Sequence, residues 1–224
     1  MPRLQGLIFD LDGTLLDSAP VIRQAMNRLL AEESRRPLTL DEVKSIVGDG
    51  LTEALQRAFK MTGGALPHDF FPYVQKYIVN YRNTKADPDQ IYPHVLSTLQ
   101  NYTKAGVKLG VCTNKGEAST YQVLKELDIQ KYFEFIAGGD TFTVHKPNPD
   151  HLLGVITGMD VPREGCVFIG DGRNDILAAR GAKVPCIVVT HGYGDEDDTT
   201  GAAALMSGFD ELPEALEKLG YRLG

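Results

Sequence analysis

The sequence predicts a protein of the α/β class, with a parallel sheet core and an inserted module that contains only helices. Short apolar segments alternate with helical patterns over most of the chain, which indicates βαβ units and a parallel sheet. Residues 18–83 interrupt this alternation and carry no strand pattern, which indicates a separate helical module after the first strand. The predicted core is therefore a Rossmann-like sheet, in which ligands bind at the carboxyl ends of the strands.

The first strand is the apolar run at residues 7–9, which is typical of a sheet covered on both faces. Apolar residues at helical spacing then predict four helices. These cover residues 21–30, a segment from the capping box of Thr39 and Glu42 to Gly48, residues 51–59 and residues 70–81. Residues 84–93 are polar and contain prolines, so they are interpreted as the linker back to the core.

Beyond this linker, helices and strands alternate. Helices are predicted at residues 95–104, 118–127, 150–158 and 175–180, and strands at residues 108–112, 133–137, 166–169 and 186–189, with an edge strand near residues 203–206. The sequence thus predicts an α/β core made of residues 1–16 and 85–224, and a helical module made of residues 17–84.

Composition and charge argue against several classes of partner. The chain has 23 Lys and Arg residues against 30 Asp and Glu residues, a net charge of −7 that disfavours binding to nucleic acid or to an anionic membrane. No apolar stretch of the sequence reaches membrane-spanning length. Cys112, Cys166 and Cys186 lie in apolar runs and are predicted to be buried, unpaired side chains, so we expect a cytoplasmic protein. The acidic run at residues 195–198 is predicted to be a solvated loop.

Polar side chains follow four of the predicted strands. They are, in chain order, Asp10 with Asp12, Thr113 with Asn114 and Lys115, Lys146, and Asp171 with Asp175. Parallel strands share one carboxyl edge, so these four segments are predicted to converge on a single crevice. Asp10 and Asp12 lie on the same side of an extended chain, and two like charges so close together require a cation or a shared proton.

Each of these segments, taken alone, also has a purely structural interpretation. The first is compatible with a turn at a strand end, Thr113 and Asn114 with a helix N-cap, Lys146 with a solvated loop lysine, and the last segment with a turn and a cap. All four follow strands, in an order that suits one site, and this joint occurrence favours a functional interpretation.

The segment Asp10-Leu11-Asp12-Gly13-Thr14 resembles the first motif of the haloacid dehalogenase superfamily of phosphohydrolases. Residues 111–115, 146–150 and 170–175 are similar to the second, third and fourth motifs of that superfamily. With Tyr92-Pro93 and Gly138-Gly139-Asp140, these motifs are most similar to those of the bacterial phosphoglycolate phosphatases. A helical module inserted after the first motif is similar to the subgroup of the superfamily that has a helical cap.

The resemblance implies a Mg²⁺-dependent phosphomonoesterase that acts on a small phosphorylated metabolite, with 2-phosphoglycolate as the expected substrate. Asp10 would be the nucleophile and form an aspartyl-phosphate, and Asp12 would be the general acid and base. Lys146 would supply positive charge to the phosphoryl group and to the nucleophile. The cap would close to exclude solvent, with hinges at residues 16–18 and 84–90.

The same resemblance assigns the binding residues. Thr113 offers a hydroxyl to a phosphate oxygen, Lys146 offers its charge, and the backbone amide of Asn114 is expected to lie where a helix begins. Mg²⁺ prefers oxygen ligands. The expected ligands are Asp10, the backbone carbonyl of Asp12, Asp171 and Asp175, the last either directly or through water.

Several functions stay open at this stage. A phosphosugar phosphatase, a pyrophosphatase and a phosphomutase share these motifs, and a phosphometabolite sensor without catalysis is the alternative outside the enzymes. The sequence leaves the oligomeric state open. The carboxylate of the expected substrate is predicted to be read by the cap. The candidates there are the loop at residues 48–50 and the basic residues Arg23, Lys44, Arg57, Lys60, Lys76 and Arg82.

Overall fold

A computed structural model describes residues 3–65, 67–194 and 199–223, so the predicted acidic loop at residues 195–198 lies outside the described residues. The described strands form one parallel sheet in the order β3-β2-β1-β4-β5-β6. These strands are β1 (Gly6–Phe9), β2 (Lys108–Cys112), β3 (Phe135–Ala137), β4 (Cys166–Gly170), β5 (Cys186–Val189) and β6 (Ala204–Met206). The predicted α/β class with a parallel sheet is thereby confirmed.

Strand β1 occupies the centre of the sheet. Its Leu7 lies opposite Leu109 of β2 on one side and opposite Val167 of β4 on the other. Because all neighbouring strands run in the same direction, the residues that follow β1, β2 and β4 emerge at one edge of the sheet. The topology therefore brings the segments that follow Phe9, Cys112 and Gly170 to the same place.

Helices cover both faces of this sheet. The core helices are α5 (Val95–Lys104), α6 (Glu117–Glu126), α7 (Pro149–Gly158), α8 (Arg173–Ala182) and α9 (Leu212–Lys218). Successive β1 side chains alternate between the two faces. Leu7 and Phe9 pack in a cluster with residues of α5, α6 and α9, whereas Ile8 packs in a second cluster with residues of α7 and α8. Both faces of β1 are fully buried, as its apolar sequence predicts.

The helical segment after β1 contains α1 (Ala19–Glu32), α2 (Leu40–Lys44), α3 (Leu51–Gly63) and α4 (Phe71–Arg82), which we call the cap helices. Their apolar side chains form a third cluster that includes Met26, Leu30 and Phe59. The capping box of Thr39 and Glu42 is present at the start of α2. Helix α2 ends at Lys44 rather than at Gly48. The reason is that the Ile46 N–H bonds to the Val43 carbonyl in 3₁₀ fashion, which tightens and ends the last turn.

The two linkers that connect the cap helices to the sheet lie side by side. Leu16 forms an antiparallel bridge with Ile91, and the Asp17 N–H donates to the Gln90 carbonyl at 2.7 Å. The chain therefore leaves the core and returns to it at the same point. The division into a core of residues 1–16 and 85–224 and a cap of residues 17–84 stays a prediction.

Two further differences from the predicted elements lie toward the C-terminus. Helix α8 begins at Arg173 and extends to Ala182, beyond the predicted residues 175–180, and α9 was not predicted. Cys112, Cys166 and Cys186 are buried and unpaired, which confirms the prediction for them. Among the described residues, no helix combines the length and the apolar character needed to cross a membrane.

Candidate active site

Asp10 follows β1 directly, and its backbone continues the hydrogen bonding of the sheet. Its N–H donates to the Ile169 carbonyl of β4 at 2.8 Å, and its side chain is buried. The chain then turns at Gly13, which has a φ of +84°. A Cβ atom added to Gly13 would lie 2.3 Å from Oδ2 of Asp171, so this position requires glycine both for its backbone angle and for its close contact.

Lys146 lies between two of the acids that sequence analysis assigned to the site. Its Nζ is 2.9 Å from Oδ1 of Asp10 and 2.7 Å from Oδ1 of Asp175, and its side chain is only 2% exposed. Burial alone would lower the pKa of Lys146, but the attraction of Asp10 and Asp175 outweighs burial and raises the pKa. Lys146 is therefore a buried, permanently charged group rather than a solvated loop lysine.

Asp10, Asp171 and Asp175 form a compact group of acids. Each offers a carboxylate oxygen, and these oxygens all lie within 4.8 Å of one another. Burial raises the pKa of Asp10 to about 6, with Lys146 opposing this and Asp175 adding to it. Burial, followed by repulsion from Asp175 and Asp10, raises the pKa of Asp171 well above its ordinary value.

This group of acids fits a hard divalent cation. Its members are carboxylates, which Mg²⁺ prefers as ligands, and the raised pKa values of Asp10 and Asp171 arise mainly from burial, which disfavours their charged forms. A bound cation would neutralise that charge and lower the pKa values. The residues present therefore suit the expected metal.

Backbone groups and one tyrosine hold these acids in place. Oδ2 of Asp175 accepts hydrogen bonds from the backbone N–H groups of Asp171, at 3.1 Å, and Gly172, at 3.2 Å. Oδ2 of Asp171 accepts a hydrogen bond from the backbone N–H of Tyr193 at 2.7 Å. The Tyr193 hydroxyl lies 2.8 Å from Oδ1 of Asp17, in the linker to the cap helices. Tyr193 therefore connects the acidic group to that linker.

Thr113 and Asn114 lie at the same edge of the sheet, but not at a helix start. Helix α6 begins at Glu117, so the expectation that the Asn114 amide lies where a helix begins was wrong. The reason is a turn between strand and helix, in which Gly139 packs against the Asn114 carbonyl. The Asn114 side chain instead donates to the carbonyls of Gly48 and Lys146, both at 2.9 Å.

Lys115 is a residue of the site to which sequence analysis gave no role. Its Nζ lies 3.2 Å from Oδ1 and 3.0 Å from Oδ2 of Asp12, and 4.5 Å from the centre of the Tyr81 ring in α4. Burial would lower the pKa of Lys115, but the attraction of Asp12 outweighs burial and raises it. The only sequence signal for this contact was the place of Lys115 beside Thr113 and Asn114, after a strand.

A cavity of about 390 Å³ lies between these strand ends and the cap helices. Its polar side includes Asp10, Asp12, Thr113, Asn114 and Lys115, and its apolar side includes Ile22, Met26, Val74 and Ile78. The cap loop at residues 48–50 borders the cavity and is bound by the core. Asn174 Nδ2 donates to Oδ1 of Asp49 at 2.7 Å and to the Gly48 carbonyl at 3.3 Å. The site is thus enclosed by both parts of the chain.

Comparison with known proteins connects this geometry to a family. The model of the haloacid dehalogenase-like hydrolase family matches residues 7–189. A phosphoglycolate phosphatase from Agrobacterium fabrum is 41% identical over 191 residues, which cover 84% of this chain and 81% of that protein. A phosphoglycolate phosphatase from Caulobacter vibrioides is 38% identical over 213 residues, which cover 93% of this chain and 89% of that protein.

Solved structures agree with the fold. A crystal structure described as that of a predicted phosphoglycolate phosphatase from Haemophilus somnus superimposes with a TM-score of 0.88. That protein is 25% identical in sequence, and the match covers 96% of this chain and 98% of the other. The likeness includes both the sheet and the cap helices, because nearly the whole of each chain is matched.

Proposed function

Because the chain belongs to the haloacid dehalogenase-like hydrolase family, as a phosphatase that acts on phosphoric monoesters, we propose that its substrate is 2-phosphoglycolate. The products would be glycolate and phosphate. The observation that carries the proposed mechanism is the buried arrangement of Asp10, Lys146, Asp171 and Asp175 at the carboxyl edge of the sheet, where a nucleophile, a cation and metal ligands meet.

In the proposed first step, a carboxylate oxygen of Asp10 attacks the phosphorus and the bond from phosphorus to the ester oxygen breaks. Asp12 donates a proton to the departing alkoxide. Lys146, 2.9 Å from Asp10, holds the nucleophile and offsets the repulsion between two anions. Thr113 and the Asn114 backbone amide are proposed to bind phosphoryl oxygens.

In the proposed second step, Asp12 takes a proton from a water molecule. The resulting hydroxide attacks the phosphorus of the aspartyl-phosphate, the bond between phosphorus and the Asp10 oxygen breaks, and phosphate leaves. The Asp10 carboxylate is restored, and Asp12 is protonated again for the next turnover.

We propose Mg²⁺ as the metal, held by the carboxylates of Asp10 and Asp171 and by the backbone carbonyl of Asp12. Oδ1 of Asp175 is bonded to Lys146 and its Oδ2 accepts two backbone N–H groups, which supports contact with the ion through water. When bound, Mg²⁺ would supply charge stabilisation to the phosphoryl group in transfer.

The names of the relatives support 2-phosphoglycolate, and so does the cavity. Its cap side combines the apolar side chains of Ile22, Met26, Val74 and Ile78 with polar side chains that include Thr52, Glu53 and Tyr77. Any hydroxyl group of a hexose phosphate that lies against the apolar part of this wall would lack a partner, and such desolvation is unfavourable. A compact ester that keeps its polar atoms near Asp12 and Lys115 avoids this cost. We also propose a cytoplasmic location, since the three cysteines are buried thiols.

The experiment that tests the proposal is phosphate release over a panel of small phosphate esters in the presence of Mg²⁺. We expect 2-phosphoglycolate to have the highest kcat/KM of the panel, with an aryl phosphate also hydrolysed because its leaving group needs no proton. A sugar phosphate at the head of the panel would refute the proposed substrate and leave the family unchanged. An equal rate in the presence of a chelator would refute the metal.

A further inference from the structure

The ammonium group of Lys115 is placed where it faces both the catalytic edge of the core and the cap. Its side chain is 8% exposed, and Asp12 accepts from it through both carboxylate oxygens. A lysine has three N–H donors, and besides Asp12 the side chain of Tyr81 is a hydrogen-bond partner of Lys115, a neutral partner that a substrate carboxylate would replace. The ring of Tyr81, from cap helix α4, lies 4.5 Å from Nζ and keeps the group at the cavity wall.

Of the six basic cap residues that the sequence offered as carboxylate readers, Arg82 lines the cavity and the other five do not. Lys44 lies over the ring of Tyr193, at 5.8 Å from its centre. Arg57 is paired with Asp49, and Lys76 with Glu33, both at the surface. Arg23 and Lys60 are exposed. Among the described residues that line the cavity, the other basic groups are Arg82 and His145, and both are exposed. Among the described residues around this site, Lys146 and Lys115 are thus the buried cations, and Lys146 is paired with Asp10 and Asp175.

The position of Lys115 matches the geometry of the proposed substrate. Asp12 must contact the ester oxygen that it protonates. In 2-phosphoglycolate, a single CH₂ group separates that oxygen from the carboxylate carbon. A cation within hydrogen-bond distance of Asp12, at 3.0 Å, is therefore also within reach of the substrate carboxylate. Aryl and alkyl phosphates place no charge at this point.

Resting on the proposed function, we infer that Lys115 is the specificity-determining residue that binds the carboxylate of the substrate. Selection of the acidic substrate is then made by the core, next to the acid and base, and the cap helices contribute the wall that excludes water. An ion pair with a carboxylate in an enclosed site is stronger than one in water, so this contact separates an anionic ester from a neutral ester of the same size.

The kinetic test compares 2-phosphoglycolate with 2-hydroxyethyl phosphate, which replaces the carboxylate by a neutral alcohol. Lys115→Met removes the charge and keeps the chain length, and Lys115→Gln is a second neutral variant in case the first does not fold. We expect the ratio of the two kcat/KM values to fall by about ten- to a hundredfold in both variants. Arg82→Gln, which neutralises the exposed cation at the same cavity, is the matched control and should keep the ratio.

A lysine that only orients Asp12 would behave differently. Its loss would lower kcat/KM for both esters by the same factor, because both leaving groups need the proton from Asp12. An unchanged ratio in the Lys115 variants would therefore overturn the inference, even if both rates fell.

A binding test separates this inference from the proposed function. Calorimetry with the whole protein and Mg²⁺ compares 3-phosphonopropionate, which carries a carboxylate and a carbon–phosphorus bond that is not hydrolysed, with propylphosphonate. We expect the wild-type protein to prefer the carboxylate ligand by about ten- to a hundredfold and Lys115→Met to bind both alike. Equal binding by the wild-type protein would overturn the role of Lys115. A wild-type protein that hydrolyses no ester but retains the binding preference would overturn only the proposed function.

Discussion

At the scale of single residues, Asp10 combines burial with close neighbours of both signs. Its pKa is raised to about 6 by burial, and Lys146 holds it from 2.9 Å. Asp10→Asn keeps the shape of the side chain and removes the attacking charge. We expect turnover to fall by about four orders of magnitude or more, since asparagine cannot form the proposed aspartyl-phosphate. Steady-state kinetics with an aryl phosphate measures the loss.

The matched control for this substitution is Asp140→Asn. Asp140 also lines the cavity, but it is exposed and accepts a hydrogen bond from the Glu117 N–H, which asparagine can also accept. Activity should be preserved there. Strong residual turnover in Asp10→Asn with a normal melting temperature would show that water attacks directly and that Asp10 only binds the metal.

His151 offers a test of stability that is separate from catalysis. It is fully buried in α7, with Nε2 3.1 Å from the Gly138 carbonyl. Burial, followed by repulsion from Lys146, lowers its pKa to about 4 from an ordinary value of 6.5. Between these two values the unfolded chain binds a proton that the folded chain does not bind. The free energy of unfolding therefore falls as the pH falls from 6.5 toward 4.

We expect the protonation of His151 in the unfolded chain to lower the free energy of unfolding by about 2 kcal/mol between pH 7 and pH 5. His151→Gln retains a donor for the Gly138 carbonyl and cannot titrate, so denaturant unfolding should show a smaller loss over this interval. His68→Gln, at an exposed site, should behave as the wild-type protein does. Parallel stability curves for the wild-type protein and His151→Gln would contradict the assignment.

The side-chain contacts of Lys115 could not be predicted from the sequence. Its contact with Asp12 joins positions 103 residues apart, and its ring partner Tyr81 belongs to the cap helices. The motif placed Lys115 at the correct edge of the sheet. Which way its side chain turns depends on packing between two distant segments, and no local pattern encodes that.

At the scale of elements, the loop between α2 and α3 is bound to the core through two asparagines. Asn114 donates to the Gly48 carbonyl, and Asn174 donates to the Asp49 carboxylate at 2.7 Å. Asn174→Ala removes a hydrogen bond to a charged group. We expect kcat/KM to fall about tenfold, because the loop closes less often over the substrate.

The measurement for Asn174→Ala is steady-state kinetics together with thermal unfolding. The melting temperature should change little, since the substitution removes a hydrogen bond at the cavity and leaves the packing of the loop residues Ile46 and Val47 against the cap cluster intact. Asn101→Ala, at an exposed position of α5, is the control and should leave both quantities unchanged. A large loss of stability with unchanged kinetics would assign Asn174 to folding rather than to closure.

Elements were predicted best where an apolar run and a glycine or proline coincide. All strands of the described sheet were anticipated, because buried parallel strands are short and apolar throughout. Helix α9 was missed, although Leu212, Ala215 and Leu216 are buried at helical spacing. Its seven residues form only about two turns, which is too short for the apolar spacing to distinguish a helix from other structures.

At the scale of the whole molecule, we expect the acidic group to make the free energy of unfolding depend on a divalent cation. Above their raised pKa values, Asp10 and Asp171 are charged, buried and close together, so we expect the proposed Mg²⁺ to offset both the cost of burying these charges and their repulsion. At a concentration of about 100 times its dissociation constant, the ion should increase the free energy of unfolding by about 2.7 kcal/mol. This corresponds to a rise of about 5–10 °C in melting temperature. Thermal unfolding with Mg²⁺ and with a chelator measures this shift.

The rise in melting temperature caused by Mg²⁺ should depend on pH. Between the ordinary value of 3.8 and about 6, folded Asp10 keeps a proton that the unfolded chain has lost. The free energy of unfolding without metal therefore falls as the pH rises through this window, and the penalty is complete above it. We expect the shift with Mg²⁺ to be larger at pH 7 than at pH 5 and to be lost in Asp171→Asn. Asp128→Asn, at an exposed position, should retain it, and an equal shift in both variants would contradict the site.

The site as a whole was more predictable than its internal contacts. Parallel strands bring their carboxyl ends to one edge whatever their side chains, so the convergence of Asp10, Lys146 and Asp171 followed from topology. The proximity of their charges confirms that convergence. The start of α6 at Glu117 and the bonds made by Asn114 depend on turns, whose geometry is set by tertiary contacts.

Because the two linkers are paired, the cap helices form an insertion whose two ends are adjacent in space. The Asp17 N–H donates to the Gln90 carbonyl at 2.7 Å, so the chain leaves the sheet and returns to it at neighbouring positions. Whatever lies between these two residues can lengthen, shorten or be exchanged without altering the order of the strands. Evolution can therefore change the cover of the site by recombination at two neighbouring points, while the charged groups beneath it are inherited intact.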